Sequence, residues 1–187
     1  MTGIHGIIFG DLDHRLSLID RWATAQTIHK QSVSEHIFNV ERMAIRIATQ
    51  WFGVTDPAAL FVVMWFAHRH EDFEALSGDL PTMVKPYFDE VAFEKDHSDV
   101  MTPVVDGGQW VRNIVKLADM LDAFWFLCIE NRLGNQYLDN HYEHEPRRIF
   151  DYFDKTWPNN EHVRQHLVGL IEEMRTCGSI RHSRRGR

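Results

Sequence analysis

Cysteine is nearly absent. The chain has 187 residues and two cysteines, Cys128 and Cys177, far apart and in no metal-type spacing, so a cysteine-built metal site is excluded. Cys128 falls in an apolar helical run and is expected to be a reduced core residue. Long apolar runs are also missing: no stretch of about 18 apolar residues and no signal peptide occur. A soluble protein is expected, and a cytoplasmic one. No internal repeat is present, which leaves one domain with an ordinary core. Positive charge is in short supply, with 20 Lys and Arg against 27 Asp and Glu and a net charge of −7. That balance argues against a surface that coats nucleic acid, though not against a small anionic ligand in a local pocket. Strand-type alternation is missing from every segment, so the chain reads as all-α.

What is present centres on Trp65 to Thr82, WFAHRHEDFEALSGDLPT. The run from Leu60 to Ala67 has no polar face and predicts a helix buried on every side. Its C-terminal end carries His68, His70, Glu71, Asp72 and Glu74 before Ser77-Gly78. Ionisable groups at the end of a buried helix are costly unless paired, solvated or metal-bound. At about 100° per residue, His70, Glu71 and Glu74 can share a face, while His68 and Asp72 lie roughly 200° round from His70. One ion can therefore take His70 with Glu71, but hardly His70 with His68. A solvated helix end explains the composition equally well, so residues elsewhere must decide.

Around this stretch the spacing predicts roughly seven helices. His14 to Ala25 reads as a short helix, with Leu16, Ile19 and Trp22 at helical intervals and Arg21-Trp22 at its end. Ser32 and Glu35 form a capping box that opens a helix to about Trp51, closed by Gly53. Its inward stripe is His36, Val40, Met43 and Ile47, which points His36 at the core. A histidine on such a stripe is more often a hydrogen-bonded core residue than a ligand. Asp56-Pro57 starts the apolar helix. Pro81 is expected to open another helix towards Phe88, Asp89 to Asp99 a further one, and Met101 to Gln109 a loop. Trp110 to Arg132 is the longest amphipathic segment. Asp119 lies against its buried stripe, with Asp122 one turn on, and metal or Arg would serve such a carboxylate equally well. Asn135 to His144 reads as a polar loop with His141 and His144 on the surface, followed by helices over Pro146 to Trp157 and Glu161 to Arg175. The domain is placed at 1–178, and the basic tail at 179–187 is expected to be disordered.

With Ser34-Glu35-His36, His70-Glu71, Gly78-Asp79-Leu80-Pro81-Thr82 and Lys116-Leu117-Ala118-Asp119, the chain resembles the HD-domain phosphohydrolases. It is most similar to bacterial-type 5′-deoxynucleotidases and to short phage relatives that hydrolyse deoxynucleoside triphosphates. The likeness runs from roughly Leu16 to Phe126 and then fades. It implies that His36, His70, Glu71 and Asp119 bind one divalent metal ion and that Glu74 is the catalytic glutamate. It further implies that Arg21 and Trp22 contact the phosphate and sugar, the indole helping to exclude a 2′-hydroxyl, and that Asp79 bonds the 3′-hydroxyl. Lys85 is a further candidate for offsetting phosphoryl charge. Imidazole and carboxylate ligands suit Mn²⁺, Co²⁺, Fe²⁺, Zn²⁺ or, less comfortably, Mg²⁺.

The family's signature is His followed by Asp, whereas this chain has His70-Glu71-Asp72. Either Glu71 replaces the aspartate, keeping the spacing to Glu74 and Gly78, or Asp72 serves through a distortion of the helix, or the ion is weakly held. Choosing His68 as the ligand would leave Arg69 in the acidic position. The resemblance thus implies a 5′-deoxynucleotidase. The alternatives are a triphosphohydrolase releasing tripolyphosphate, or a nucleotide-binding helical module without catalysis, against which the retention of Glu74, Asp79, Arg21 and Trp22 speaks. The expected partner is a small deoxynucleotide, with no membrane or nucleic-acid polymer, and exposed aromatics leave a homodimer open.

Overall fold

The structure, a computed structural model, describes residues 9–81, 84, 87–97 and 107–176. Lys85, Thr82, most of the Met101 to Gln109 loop, Cys177 and the tail at 179–187 lie outside the described residues. The chain divides into two compact units, Met1–Asp122 and Ala123–Arg187. All described elements are helical, apart from an isolated antiparallel bridge between Asp20 and Ser32. No described helix is long and apolar enough to cross a membrane.

The first unit contains α1 (Phe9–Leu18), α2 (Val33–Arg46), α3 (Pro57–Arg69), the short α4 (Glu74–Ser77), α5 (Glu90–Asp96) and the first part of α6 (Gly108–Arg132). The caps form as their sequences dictate. Ser32 accepts the Glu35 N–H at the start of α2, and Asp56 accepts that of Ala58 ahead of Pro57 at the start of α3. These bonds satisfy N–H groups that the first turn of a helix leaves without partners. The last turn of the predicted second helix widens into a π-helical turn over Ile47–Trp51 before Gly53, whose φ of 68° needs glycine.

Leu12, Leu16, Val33, Ile37 and Ala75 pack into one buried cluster, with Ile19 against it. It joins α1, the first turn of α2 and α4, the segments that flank His36 and Glu74. Removing a buried leucine side chain such as that of Leu16 typically costs about 2–5 kcal/mol. The cluster is thus the footing on which the polar side chains above it are held.

Three expectations for this unit are corrected. The helix predicted over His14 to Ala25 ends at Leu18. Beyond it, the Arg21 N–H donates to the Gln31 carbonyl and the Val33 N–H to that of Ile19, closing residues 19–33 into a loop. Trp22 sits there at φ 65°, which no right-handed helix accommodates. Next, α3 is not buried on every side. Val63 and Ala67 are buried, but Phe61 is 53% and Met64 39% exposed, because its principal packing partner, α2, covers one face. Phe61, Trp65 and His68 stack along α3.

The continuous helix assumed through Glu74 is also absent. From Arg69 to Phe73 the chain tightens into turns, with Asp72 N–H to Arg69 carbonyl, Glu74 N–H to Glu71 carbonyl and Ala75 N–H to Asp72 carbonyl. Bonds between residues three apart give three residues per turn, so positions i and i+3 eclipse. The position of Glu74 is therefore set by these turns and not by an α-helix continuous with His70.

In the second unit, the remainder of α6 leads to a 3₁₀ turn (Gln136–Leu138), α7 (Asp139–Thr156) and α8 (Glu161–Thr176). The segment predicted as a polar loop is mostly helix: α7 begins at Asp139 and carries Pro146 inside it. Asn135 starts this region instead, its side chain accepting the Tyr137 N–H. Proline costs α7 one N–H donor, which burial of Ile149 and Phe153 on the same helix offsets. His141 and His144 are exposed. Cys128 is buried, and burial pushes its thiol up to about 11, as an inert core cysteine requires.

Candidate active site

Four side chains from three separate segments meet in the first unit. His36 comes from the first turn of α2, His70 from the C-terminal cap of α3, Glu71 from the turn after it, and Asp119 from the middle of α6. One potential ligand atom from each lies within 4.8 Å of all the others. The His36 Nε2 is 3.3 Å from His70 Nε2 and 3.4 Å from Asp119 Oδ1, and His70 Nε2 is 4.0 Å from Glu71 Oε1.

The hydrogen bonds on the far side of each ring decide what these nitrogens can do. His70 Nδ1 donates to the Ala67 carbonyl at 2.6 Å, and His36 Nδ1 donates to Asp122 Oδ2 at 2.6 Å. Both acceptors require the proton on Nδ1, so in the neutral rings both Nε2 atoms present lone pairs. Two lone pairs facing each other repel unless a cation lies between them. Two nitrogens each about 2.0–2.1 Å from one tetrahedral ion stand roughly 3.3–3.4 Å apart, the spacing seen here. The donor set therefore fits a divalent ion on chemistry and on distance.

Electrostatics favour the same state. Burial lowers the pKa of His70 from the ordinary 6.5, with Glu71 and Asp119 opposing, so the ring is neutral and able to ligate near neutral pH. Burial alone would raise that of Asp119, but the adjoining His36, Lys116 and Arg21 together outweigh it and hold the carboxyl well below the usual range. Arg21 NH2 is 3.1 Å from Asp119 Oδ1 and its NH1 3.4 Å from Asp122 Oδ2, while Lys116 Nζ is 2.7 Å from Asp119 Oδ2.

A pH dependence follows. Between its lowered folded pKa and 6.5, His70 binds more protons unfolded than folded, so stability rises with pH there and is lost as pH falls through that window. Asp119 acts lower, its contribution being lost only below the ordinary 3.8. Chelator-treated protein should therefore unfold at lower urea at about pH 5.5 than at about pH 7.5, and His70→Gln should shrink the difference. Equal urea midpoints in the parent protein would contradict this reading of His70.

The other sequence-predicted residues are placed as follows. Glu74 is buried, one turn beyond Glu71. Asp72, the competing acid, is turned away into a buried ion pair with Arg69. His68 lies outside the cluster and pairs with Glu41 and Asp13. Asp79 Oδ2 accepts the Trp22 backbone N–H at 2.9 Å, joining the loop after α4 to the loop before α2. Trp22 holds a left-handed backbone that costs a non-glycine residue about 1–3 kcal/mol, and the Asp79 bond offsets part of that. The Arg21 guanidinium lies 5.9 Å from the Trp22 ring, so Arg21, Trp22 and Asp79 form one assembly beside the cluster.

Two participants were given no site role from the sequence, although Asp122 was noted there beside Asp119. Asp122 is 2% exposed and bonds His36, Gln31 and Arg21. Gln31 is buried with it. The available signal was a second carboxylate three residues after Asp119 on a buried face. Nothing in the spacing of Gln31, in a polar loop, marks it.

Comparison with known proteins agrees with this geometry. Residues 9–100 match the family described as 5′-deoxynucleotidase YfbR-like. The 5′-deoxynucleotidase YfbR of Salmonella arizonae is 30% identical over 144 residues, 65% of this chain and 71% of its own length. That of Salmonella typhi is 28% identical over 170 residues, 74% of this chain and 84% of its own. Among solved structures, the cyanophage S-2L HD phosphohydrolase DatZ, bound to dA and one catalytic Zn²⁺, matches with a TM-score of 0.66 and 20% identity over 92% of this chain and 99% of that one. A conserved hypothetical protein of Pyrococcus furiosus matches with a TM-score of 0.68 and 19% identity over 86% of this chain and 96% of its own. These two likenesses are of fold. The chain belongs to the 5′-deoxynucleotidase YfbR-like family and is a phosphohydrolase of the HD-domain fold.

Proposed function

We propose that this protein is a metal-dependent 5′-deoxynucleotidase, converting a deoxynucleoside 5′-monophosphate and water to deoxynucleoside and phosphate. The observation that carries this reading is the convergence of His36, His70, Glu71 and Asp119 on one point, beside the Arg21–Trp22–Asp79 assembly and within a chain of the deoxynucleotidase family. A divalent ion held there supplies a Lewis acid for the phosphate oxygens and lowers the pKa of a water. His36, His70, Glu71 and Asp119 would hold that ion, their two carboxylates matching its charge.

The remaining roles fall to this chain's own side chains. Water attacks phosphorus, the P–O5′ bond breaks, and Glu74 delivers a proton through water to the leaving O5′. Arg21, steered by Asp119 and Asp122, offsets charge on the phosphoryl oxygens as the bond breaks. Asp79, with one oxygen engaged by Trp22, accepts the sugar 3′-hydroxyl with the other. The Trp22 indole walls the 2′ position, where an added hydroxyl meets a ring instead of a hydrogen-bond partner. Trp22→Ala is therefore expected to narrow the deoxy-over-ribo ratio of kcat/KM by about 10-fold or more, within the 1–3 kcal/mol that such contacts supply. An unchanged ratio would remove Trp22 from sugar selection.

The test is phosphate release from dAMP, dGMP, dCMP and dTMP after chelation, followed by add-back of Mn²⁺, Co²⁺, Zn²⁺ and Mg²⁺ in turn. Activity lost on chelation and restored by a stoichiometric ion supports the proposal. Release that never depends on an added ion contradicts it.

A further inference from the structure

We infer that Asp122 is a positioning residue, orienting His36 towards the centre and tethering Arg21 beside it; this rests on the metal-site reading above. Its single oxygen Oδ2 meets His36 Nδ1 at 2.6 Å, Gln31 Nε2 at 3.0 Å and Arg21 NH1 at 3.4 Å. A carboxylate 2% exposed is costly to bury unless such donors surround it. All three donors come from the segment 21–36, which has no regular structure until α2 begins at Val33. Asp122 thus fixes that segment to α6.

The geometry assigns opposite duties to two acids on one helix. Asp119 lies on the Nε2 side of His36, at 3.4 Å, with the potential ligands. Asp122 lies on the Nδ1 side, outside that set. An isolated neutral imidazole divides between two tautomers, and only one has its lone pair on Nε2. The Asp122 carboxylate, an acceptor, selects the tautomer with hydrogen on Nδ1 and leaves Nε2 to ligate. It also fixes the ring plane, and its negative charge makes the imidazole a better donor to a cation. Partners of this kind typically alter metal affinity or activity by about 10–100-fold. His70 obtains the same tautomer from a backbone carbonyl, so a side-chain substitution can release only His36.

The test uses full-length protein, chelated and then titrated with Co²⁺, whose visible absorption reports its ligand set. Asp122→Ala is expected to weaken Co²⁺ binding by about 10–100-fold. Asp122→Asn, which can still accept from Nδ1–H, should fall between Asp122→Ala and the parent. At saturating Co²⁺ the Ala variant should recover kcat to within a few-fold while KM stays raised, since Arg21 has lost one of its two carboxylate partners. A merely structural role would lower thermal stability and leave Co²⁺ affinity of the folded protein unchanged. Parent-like Co²⁺ binding in Asp122→Asn and Asp122→Ala, with His36→Ala clearly impaired, would overturn this inference alone. Unimpaired binding in His36→Ala would overturn the metal-site reading and this inference with it.

Discussion

Glu74→Gln is expected to lower kcat on deoxynucleoside monophosphates by about 10²–10⁴-fold, the usual yield of a positioned acid–base group, while metal content stays that of the parent. Glutamine keeps the size of the side chain and one acceptor oxygen but cannot act as an acid or base. Glu74 opens α4 one tightened turn beyond Glu71, to whose carbonyl its own N–H is bound at 2.9 Å. It is 2% exposed and stands outside the four-residue cluster. A group so placed can serve the reaction without holding the ion. Measuring kcat and metal stoichiometry on the same preparation separates the two roles. A variant with parent-like kcat would remove Glu74 from the chemistry, and one that lost its metal would make it a ligand.

His70→Ala should abolish both binding and turnover. The substitution removes one of the two Nε2 lone pairs that face each other at 3.3 Å and leaves one nitrogen and two carboxylates. The loss in metal affinity should exceed the about 10–100-fold typical of residues that only support ligands, and kcat/KM should fall with it. The ring is largely buried, with a side-chain exposure of 11%, so circular dichroism on the same preparation checks that the variant stays folded. Calorimetric titration with Zn²⁺ or Co²⁺ checks the binding and phosphate release checks the rate. Parent-like affinity would mean that the histidines meet for structural reasons.

Much of this arrangement was legible before the fold was known. The capping residues Ser32 and Asp56 are local signals, read within a few residues, and both helices start where they say. The stripe on α2 pointed His36 inward because burial and helical period are coupled. The separation of His70 and Glu71 from His68 followed from angles alone, and the structure puts His68 with Glu41 and Asp13 instead.

What was illegible depends on partners distant in sequence. Trp22 is spaced as a helix residue, yet backbone bonds from Ile19 and Arg21 to the other end of the loop fold it into a left-handed turn. The apolar composition of α3 fits a fully buried helix equally well, and only the placement of α2 decides that Phe61 and Met64 face outward. The break after Arg69 is fixed by a buried ion pair with Asp72 and a ring-to-carbonyl bond at His70, neither of which has a periodic signature. Pro146 reads as a helix start because proline favours that position, yet the helix had begun at Asp139. Asp122 was visible as a carboxylate on a buried stripe, but its partner His36 is 86 residues away.

Product analysis with purified protein and its preferred ion tests the proposed reaction most directly. A deoxynucleoside monophosphate, its ribonucleotide and its triphosphate would be offered in parallel, with Glu74→Gln as the blank. Deoxynucleoside and inorganic phosphate are expected from the monophosphate, far less product from the ribonucleotide, and loss of both products in the blank. Tripolyphosphate from the triphosphate, with the monophosphate untouched, would contradict the proposed substrate, and no product from any of the three would contradict the proposed deoxynucleotide substrate altogether.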